Sequence, residues 1–306
     1  MLKKVIGDAT LYHGKMEDVI PTIQFDHIFS DPPYLYIKTH DFDKEFDEQL
    51  LFENAKRILP DNGFIALFGR GTSFYRWNTC LADMGFVFKE ELVWDKRYTT
   101  APCIALSRIH ETVSLHTKKN GKIRRSKVPY IEQKQFDLES IINDIKRIKS
   151  AINSEAGLNK IKDYLQNGNY FTEDNRTDKH CVSQQPGILH PDRANATIKS
   201  ISGGMNERSL IHYSEKSILE IGADHYKNEH PTEKPVRLAE RIIALISDPG
   251  DTIYDPFMGS GAFGVACINT GRKYIGSEIS QEYFDIACRR IKEAYRQPQL
   301  SEVRNA

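Results

Sequence analysis

The 306-residue sequence has no apolar run approaching the length of a membrane span, and its opening Met-Leu-Lys-Lys-Val leads into no signal-peptide core. It is also poor in cysteine: Cys80, Cys103, Cys181, Cys267 and Cys288 are scattered, odd in number and never spaced C-x-x-C. That pattern excludes a disulfide framework and a zinc knuckle, and it predicts a protein of the reducing cytoplasm. The ten histidines show no H-E-x-x-H or similar ligand spacing, so no metal site is expected. Internal repeats and low-complexity tracts are absent. What remains is ordinary globular composition, 40% hydrophobic and 27% charged, in a chain long enough for one large or two modest cores.

An excess of either charge is missing too, with 42 Lys plus Arg against 42 Asp plus Glu, but the balance hides an asymmetry. Residues 118–227 hold 19 bases against 14 acids, a net of +5, and the remainder carries −5. Within 118–127 lie Lys118, Lys119, Lys122, Arg124, Arg125 and Lys127, with no acid among them. Such a run is either a solvated loop or, set between two acidic flanks, part of a module that meets a polyanion. The same segment holds one amphipathic helix, with Leu138, Ile141, Ile142, Ile145, Ile148 and Ile152 at helical spacing, whose stripe reads first as core and second as a dimer seam.

The flanks alternate strands with helices. Periodicity and breakers predict strands at His27–Ser30, Phe64–Phe68, Phe86–Trp94 and Glu111–Thr117, with helices at Asp47–Leu59 and Ser73–Met84. The order resumes with helix Val236–Ile246, strand Thr252–Tyr254, a glycine-rich turn, helix Phe263–Thr270, strand Tyr274–Ser277 and helix Gln281–Ala294. Alternation of this kind means an α/β fold, a mostly parallel, doubly wound, Rossmann-like sheet. Residues 1–117 and 228–306 are therefore expected to be halves of one catalytic domain, with 118–227 inserted between them.

Gly259-Ser260-Gly261-Ala262-Phe263-Gly264 is a complete G-x-G-x-x-G that follows a strand and opens a helix, and Glu278 ends the next strand. Glycines permit the tight turn and close ligand approach, and the acid suits ribose hydroxyls. A nicotinamide dinucleotide domain needs about four more strands downstream, whereas 42 residues follow Gly264. The missing strands are then those of the N-terminal flank, a circular permutation. Pro256 and Phe257 narrow the space a pyrophosphate would fill, which favours S-adenosylmethionine over NAD.

Asp31-Pro32-Pro33-Tyr34 follows another predicted strand at its carboxyl end, where open α/β sheets bind ligands. One reading is a proline-stiffened turn. The chemical reading is that the prolines fix the Asp31 carboxylate and a main-chain carbonyl as paired acceptors for an exocyclic amino group. Tyr34 then offers a face on which a flipped-out base stacks.

In order and content these motifs resemble the DNA amino-methyltransferases of the beta arrangement: D-P-P-Y first, target recognition in the middle, F-x-G-x-G last. The resemblance covers both flanks and implies direct methyl transfer from S-adenosylmethionine to the N6 of a flipped adenine in double-stranded DNA. It implies a catalytic motif of Asp31, Pro32, Pro33 and Tyr34, and cofactor contacts from Asp255, Phe257, Gly259, Ser260 and Gly261. The segment Tyr274–Ile279 resembles the ribose and adenine element, which adds Glu278 and Ile279. His230-Pro231-Thr232-Glu233-Lys234-Pro235 resembles the H-P-T-x-K-P element, which adds Thr232 and Lys234 near the methionyl end. Trp94-Asp95-Lys96 and His110-Glu111 resemble elements of unsettled role. The basic run 118–127 supplies candidate DNA contacts. Family members often carry Gly-Asp after the first strand, an acceptor for the cofactor's adenine; here Gly14-Lys15 stands there, leaving Asp8, Glu17 or the backbone to substitute.

Alternatives remain at this stage. N4-cytosine methylation uses the same fold and site, and RNA presents the same amine as DNA. A C5-cytosine enzyme needs a covalent cysteine; Pro102-Cys103 occurs, but Asp-Pro-Pro-Tyr has no place in that chemistry. A nicotinamide oxidoreductase rests on the glycine motif and Glu278 alone, and a non-catalytic DNA-binding module conflicts with intact motifs. The sequence leaves open a homodimer and a partner endonuclease.

Overall fold

The computed structural model describes residues 1–34, 45–96, 109–134, 137–153, 159, 192–212 and 234–296. The chain forms two compact units, one of Met1–Ser126 with Arg208–Ala306 and one of Lys127–Glu207. The larger unit opens with strands β1 (Leu2–Ile6) and β2 (Ala9–His13), followed by helix α1 (Met16–Val19) and strand β3 (His27–Ser30). It continues with α2 (Glu48–Ile58), β4 (Phe64–Gly69), α3 (Gly71–Asp83), β5 (Val87–Asp95) and β6 (His110–Thr117). The smaller unit holds β7 (Lys127–Val128), α4 (Tyr130–Lys134), α5 (Leu138–Ile152), α6 (Asp192–Gly203) and β8 (Met205–Asn206). The larger unit resumes with β9 (Leu210–His212), α7 (Val236–Ile246), β10 (Thr252–Asp255), α8 (Ala262–Asn269), β11 (Lys273–Glu278) and α9 (Gln281–Ala294).

One nine-stranded sheet, ordered β1-β2-β11-β10-β3-β4-β6-β5-β9, carries the larger unit. The five strands from β2 to β4 are parallel neighbours, and β6 runs antiparallel to both β4 and β5. Strand β4 is buried throughout, and its side chains alternate between two cores, as strand geometry requires. Phe64, Ala66 and Phe68 join Leu238, Ile242, Phe263 and Ile291 of α7, α8 and α9 on one face. Ile65 and Leu67 join Leu51, Phe52, Trp77 and Leu81 of α2 and α3 on the other. The sheet is thus wound on both faces. Beyond β10 the chain turns one way, through α8 to β11, and beyond β3 the other way, through α2 to β4. The crevice between β3 and β10 is therefore the topological switch point, where such sheets bind ligands.

Three features differ from the sequence reading. Strand β1 was not expected, because its Lys3-Lys4 pair interrupts the apolar pattern; it pairs with β2 through a two-residue turn and is largely exposed at the sheet edge. The unit boundaries, 127 and 207, lie inside the expected 118–227. The run after β6 is tied to the larger unit by Lys118 N–H on Gly63 O and Arg124 N–H on Leu245 O, and β9 pairs with β5. The apolar stripe of α5 is not all core, since Leu138, Ile142, Ile145 and Ile152 are exposed. The helix turns Asp144 inward instead, where Tyr130 Oη, Lys134 Nζ and Arg147 Nη1 donate to it at 2.7, 2.9 and 2.7 Å.

Candidate active site

Because β3 and β10 are paired in parallel, Ile253 beside His27 and Tyr254 beside Ile28, their carboxyl ends lie next to each other. The segment after β3 is Asp31-Pro32-Pro33-Tyr34, and the segment after β10 is the turn Pro256–Gly261. Phe263 of α8 stacks on Phe29 of β3 at 4.1 Å between ring centroids and packs on Phe68 of β4 at 5.8 Å. The helix that follows the glycine turn is thereby fixed against the strand that presents Asp31.

The Asp31 carboxylate has both oxygens engaged. Tyr34 Oη donates to Oδ1, and the Lys234 ammonium donates to Oδ2. The Tyr34 backbone carbonyl accepts from Ser73 Oγ at 3.2 Å, and its ring lies tilted against Trp77, so α3 holds the end of the motif. Burial, together with the Asp31 and Glu111 charges, raises the Tyr34 pKa well above that of a free phenol, so its hydroxyl stays a donor. Lys234 is itself 7% exposed and lies 3.3 Å from Glu111 Oε2, an ion pair without hydrogen-bond geometry, with its ammonium 5.0 Å above the Phe68 ring. Glu111 Oε1 in turn accepts from Lys96 Nζ at 2.8 Å. Burial opposes a charge on Lys234, but the two carboxylates outweigh it and raise its pKa. Burial likewise opposes the Glu111 carboxylate, yet Lys234 and Lys96 pull its pKa down to about 2. The result is an alternating row of charges, Asp31, Lys234, Glu111 and Lys96, with Lys234 buried and the other three partly buried.

The glycine turn is held from two directions. Gly261 N–H donates to Met258 O at 2.9 Å with φ at 82°, and a Cβ there would stand 2.8 Å from Ala287 Cβ of α9. Ser260 is buried and receives Arg290 Nη1 on its hydroxyl at 2.8 Å and on its carbonyl at 3.2 Å. Glu278 caps the turn: Oε2 accepts from Gly259 N–H and Oε1 from Ser280 N–H, both at 2.8 Å. Burial raises its pKa despite these bonds. Asp255 is deeper, accepting from Phe257 N–H at 3.2 Å and from Tyr274 Oη at 3.1 Å, and burial pushes its pKa up to about 8. Phe257 meets Phe46 edge-on at 4.7 Å, and Ile279 is half exposed beyond β11. With the N–H groups of Phe257, Met258, Gly259 and Gly261 already satisfied, and a carboxylate in place, the geometry offers no cradle for a pyrophosphate. It suits a ligand with ribose hydroxyls and a cationic centre.

The structure thus brings together Asp31, Pro32, Pro33, Tyr34, Lys234, Asp255, Phe257, Gly259, Ser260, Gly261, Glu278 and Ile279 at one edge of the sheet; Thr232 lies outside the described residues. Lys234, expected near the methionyl end of the cofactor, donates to Asp31 Oδ2, a bond that was not foreseen. Lys96, Glu111 and Arg290 were missed as site residues. The sequence signal for Lys96 and Glu111 was the resemblance of Trp94-Asp95-Lys96 and His110-Glu111 to elements of unsettled role, and their pairing follows from the β5–β6 register, which sets Trp94 opposite Glu111.

The basic run does not join this edge. Strand β6 is antiparallel to β4, with Thr117 opposite Phe64, so residue 118 emerges at the amino edge of the parallel strands. There Lys118 Nζ donates to Leu59 O at 2.6 Å, and Arg124 donates to Ile246 O and, at 2.8 Å, to Asp248; both close the carboxyl ends of helices. Lys119 pairs with Asp61 at 3.2 Å. Lys122, Arg125 and Lys127 are exposed. The Gly14-Lys15 question narrows as well. Asp8, in the turn before β2, lies at the opposite edge, whereas Glu17 in α1 follows the carboxyl end of β2 and accepts from Asp47 N–H at 3.1 Å.

Comparison with known proteins agrees with this arrangement. A family model described as DNA methylase, of the N6/N4 methyltransferase type, matches residues 25–289. The chain is 46% identical over 83 residues to the DNA adenine methyltransferase YhdJ of Escherichia coli strain K12, a stretch covering 26% of this chain and 28% of that enzyme. It is 25% identical over 292 residues to the type II methyltransferase M2.DpnII of Streptococcus pneumoniae, covering 87% and 82% of the two chains. Among solved structures, the M1.HpyAVI–SAM complex superposes with a TM-score of 0.52 at 21% identity, over 92% of this chain and 99% of that one.

Proposed function

From a chain that belongs to the DNA methylase family, we propose an enzyme that methylates the exocyclic N6 of adenine in double-stranded DNA, acting on a base turned out of the helix. The observation that carries the reading is the adjacency of Asp31 and the glycine turn across the β3–β10 switch point. An amine acceptor and a donor pocket on neighbouring strand ends are what direct transfer between two bound molecules requires. The relative named a DNA adenine methyltransferase supports adenine over cytosine.

The methyl donor is S-adenosylmethionine, which supplies an electrophilic methyl group on a sulfonium. The glycine turn, Phe257 and Ile279 would hold it, with Glu278 turned toward ribose hydroxyls. On the acceptor side, Asp31 would take one N–H of the target amine and the Pro32 carbonyl the other. Drawing both hydrogens toward acceptors favours a pyramidal nitrogen whose lone pair is free to attack. The N–C bond forms as the S–C bond breaks, and the extra amine proton leaves through Asp31 to solvent. Tyr34 would stack on the flipped base, its hydroxyl leaving Asp31 Oδ1 to the incoming amine. All of these groups come from one chain, so a monomer and a homodimer serve the chemistry equally. Three free thiols among the described residues, Cys80, Cys267 and Cys288, fit a cytoplasmic setting.

The deciding experiment is product analysis. The protein is incubated with S-adenosylmethionine and methyl-free DNA, and the DNA is digested to nucleosides for mass spectrometry. N6-methyldeoxyadenosine is expected. N4-methyldeoxycytidine would replace the substrate while keeping the site, and no methylated nucleoside with the cofactor bound would overturn the reading.

A further inference from the structure

We infer that Glu111, backed by Lys96, is a positioning residue for methyl transfer, acting on Asp31 through Lys234. This rests on the reading of Asp31 as the acceptor for the target amine. Oδ1 accepts well only if the carboxylate is fixed in rotation and keeps its negative potential. Rotation is set by Lys234 on Oδ2, but lysine is a point charge on a flexible stem and fixes nothing unless its own head is anchored. The anchors are Glu111 Oε2 at 3.3 Å and the Phe68 face at 5.0 Å. Glu111 is anchored in turn by Lys96 Nζ at 2.8 Å and by its place opposite Trp94 in the β5–β6 ladder. The hairpin is continued by Lys96 N–H on Ile109 O at 2.7 Å, which keeps both side chains at the same end.

Charge gives the second reason. A buried lysine paired with Asp31 alone would form a neutral couple and quench the potential at Oδ1. Shared between two carboxylates, the ammonium leaves the trio Asp31–Lys234–Glu111 with one net negative charge beside the target amine. Lys96, nearer to solvent, balances the outer end of the row; its side chain is 17% exposed against 7% for Lys234.

The test compares wild type with Glu111→Gln, Lys96→Gln and Asp31→Ala. Each is assayed for single-turnover methyl transfer at saturating S-adenosylmethionine and DNA, for the Kd of each ligand, and for thermal unfolding. Glu111→Gln keeps the shape and removes the charge; its transfer rate is expected to fall about 10- to 100-fold, the scale of a misplaced reacting group. Its cofactor Kd should stay within about twofold, a split between rate and binding that a merely structural role does not produce. Lys96→Gln should slow transfer in the same direction but less. Transfer at the wild-type rate in Glu111→Gln, with Asp31→Ala inactive, overturns the positioning role while leaving the proposed function intact. A loss in Glu111→Gln that tracks weakened cofactor binding also overturns it. Near-normal turnover in Asp31→Ala refutes instead the reading of Asp31 as the acceptor for the target amine, on which the positioning role rests.

Discussion

Replacing Gly261 with alanine tests the cofactor turn at its tightest point. The backbone there has φ at 82°, and the new Cβ would lie 2.8 Å from Ala287 Cβ and 3.0 Å from Ala287 Cα. The left-handed conformation costs an alanine about 1–2 kcal/mol. Ala287 sits in α9, and its Cα cannot move without the helix, so overpacking adds about 1–3 kcal/mol. Gly250→Ala is the matched control, since φ is 93° and nothing lies within 4 Å of the added carbon. It should show the conformational part alone, about 1–2 kcal/mol. Urea unfolding of both variants in parallel measures the difference, and calorimetry with S-adenosylmethionine measures its effect on binding. Gly261→Ala is expected to lose about 1–3 kcal/mol more than Gly250→Ala, with a cofactor Kd raised at least about tenfold. Equal losses in the two variants would refute the packing argument, and an unchanged Kd would refute the assignment of the turn to the cofactor.

Glu278→Ala strands the N–H groups of Gly259 and Ser280, each at about 1–3 kcal/mol; isothermal titration should show cofactor affinity falling about tenfold or more, and wild-type affinity would exclude Glu278 from the site. Asp255 keeps its proton up to about pH 8 when folded but releases it near pH 3.9 when unfolded. The folded state therefore binds the extra proton between those values, and this group makes stability fall as pH rises through the interval, by up to about 1.4 kcal/mol per pH unit. Asp255→Asn should flatten that decline in urea titrations from pH 5 to 8, and an equally steep decline would put the protonation elsewhere. Arg124→Ala should lower stability by about 1 kcal/mol through the open end of α7, while the salt dependence of DNA binding stays unchanged. A slope shallower by about one, as for a lost phosphate contact, would return Arg124 to the DNA face.

The order of strands and helices in both flanks was legible because those elements follow plain rules. The strand His27–Ser30 centres on Ile28-Phe29 and is followed by prolines, α2 is capped by Asp47 on Leu50 N–H at 2.8 Å, and the helix after the glycine turn opens where the fingerprint demands. Strand β1 was not legible, since an edge strand exposed on both faces carries no alternation to read. The stripe of α5 misled in the opposite sense: a broad apolar face does not say which part is buried, and Asp144 meets Tyr130 and Lys134 only after the smaller unit has folded.

The amino-acid sequence by itself determined the class of chemistry, because Asp-Pro-Pro-Tyr and the glycine turn are local structures whose residues, spacing and flanking strand ends lie within a few positions of each other. Tertiary structure alone decided which charges meet. Lys234 reaches Asp31 across 203 positions of chain, and Arg124 reaches Asp248 across 124. The direction of β6 sends the basic run to the edge away from Asp31, although composition pointed toward a nucleic-acid face. A charge in sequence carries no direction. It acquires a role only when strand order and register bring a partner within a few ångströms, where burial makes the pairing strong.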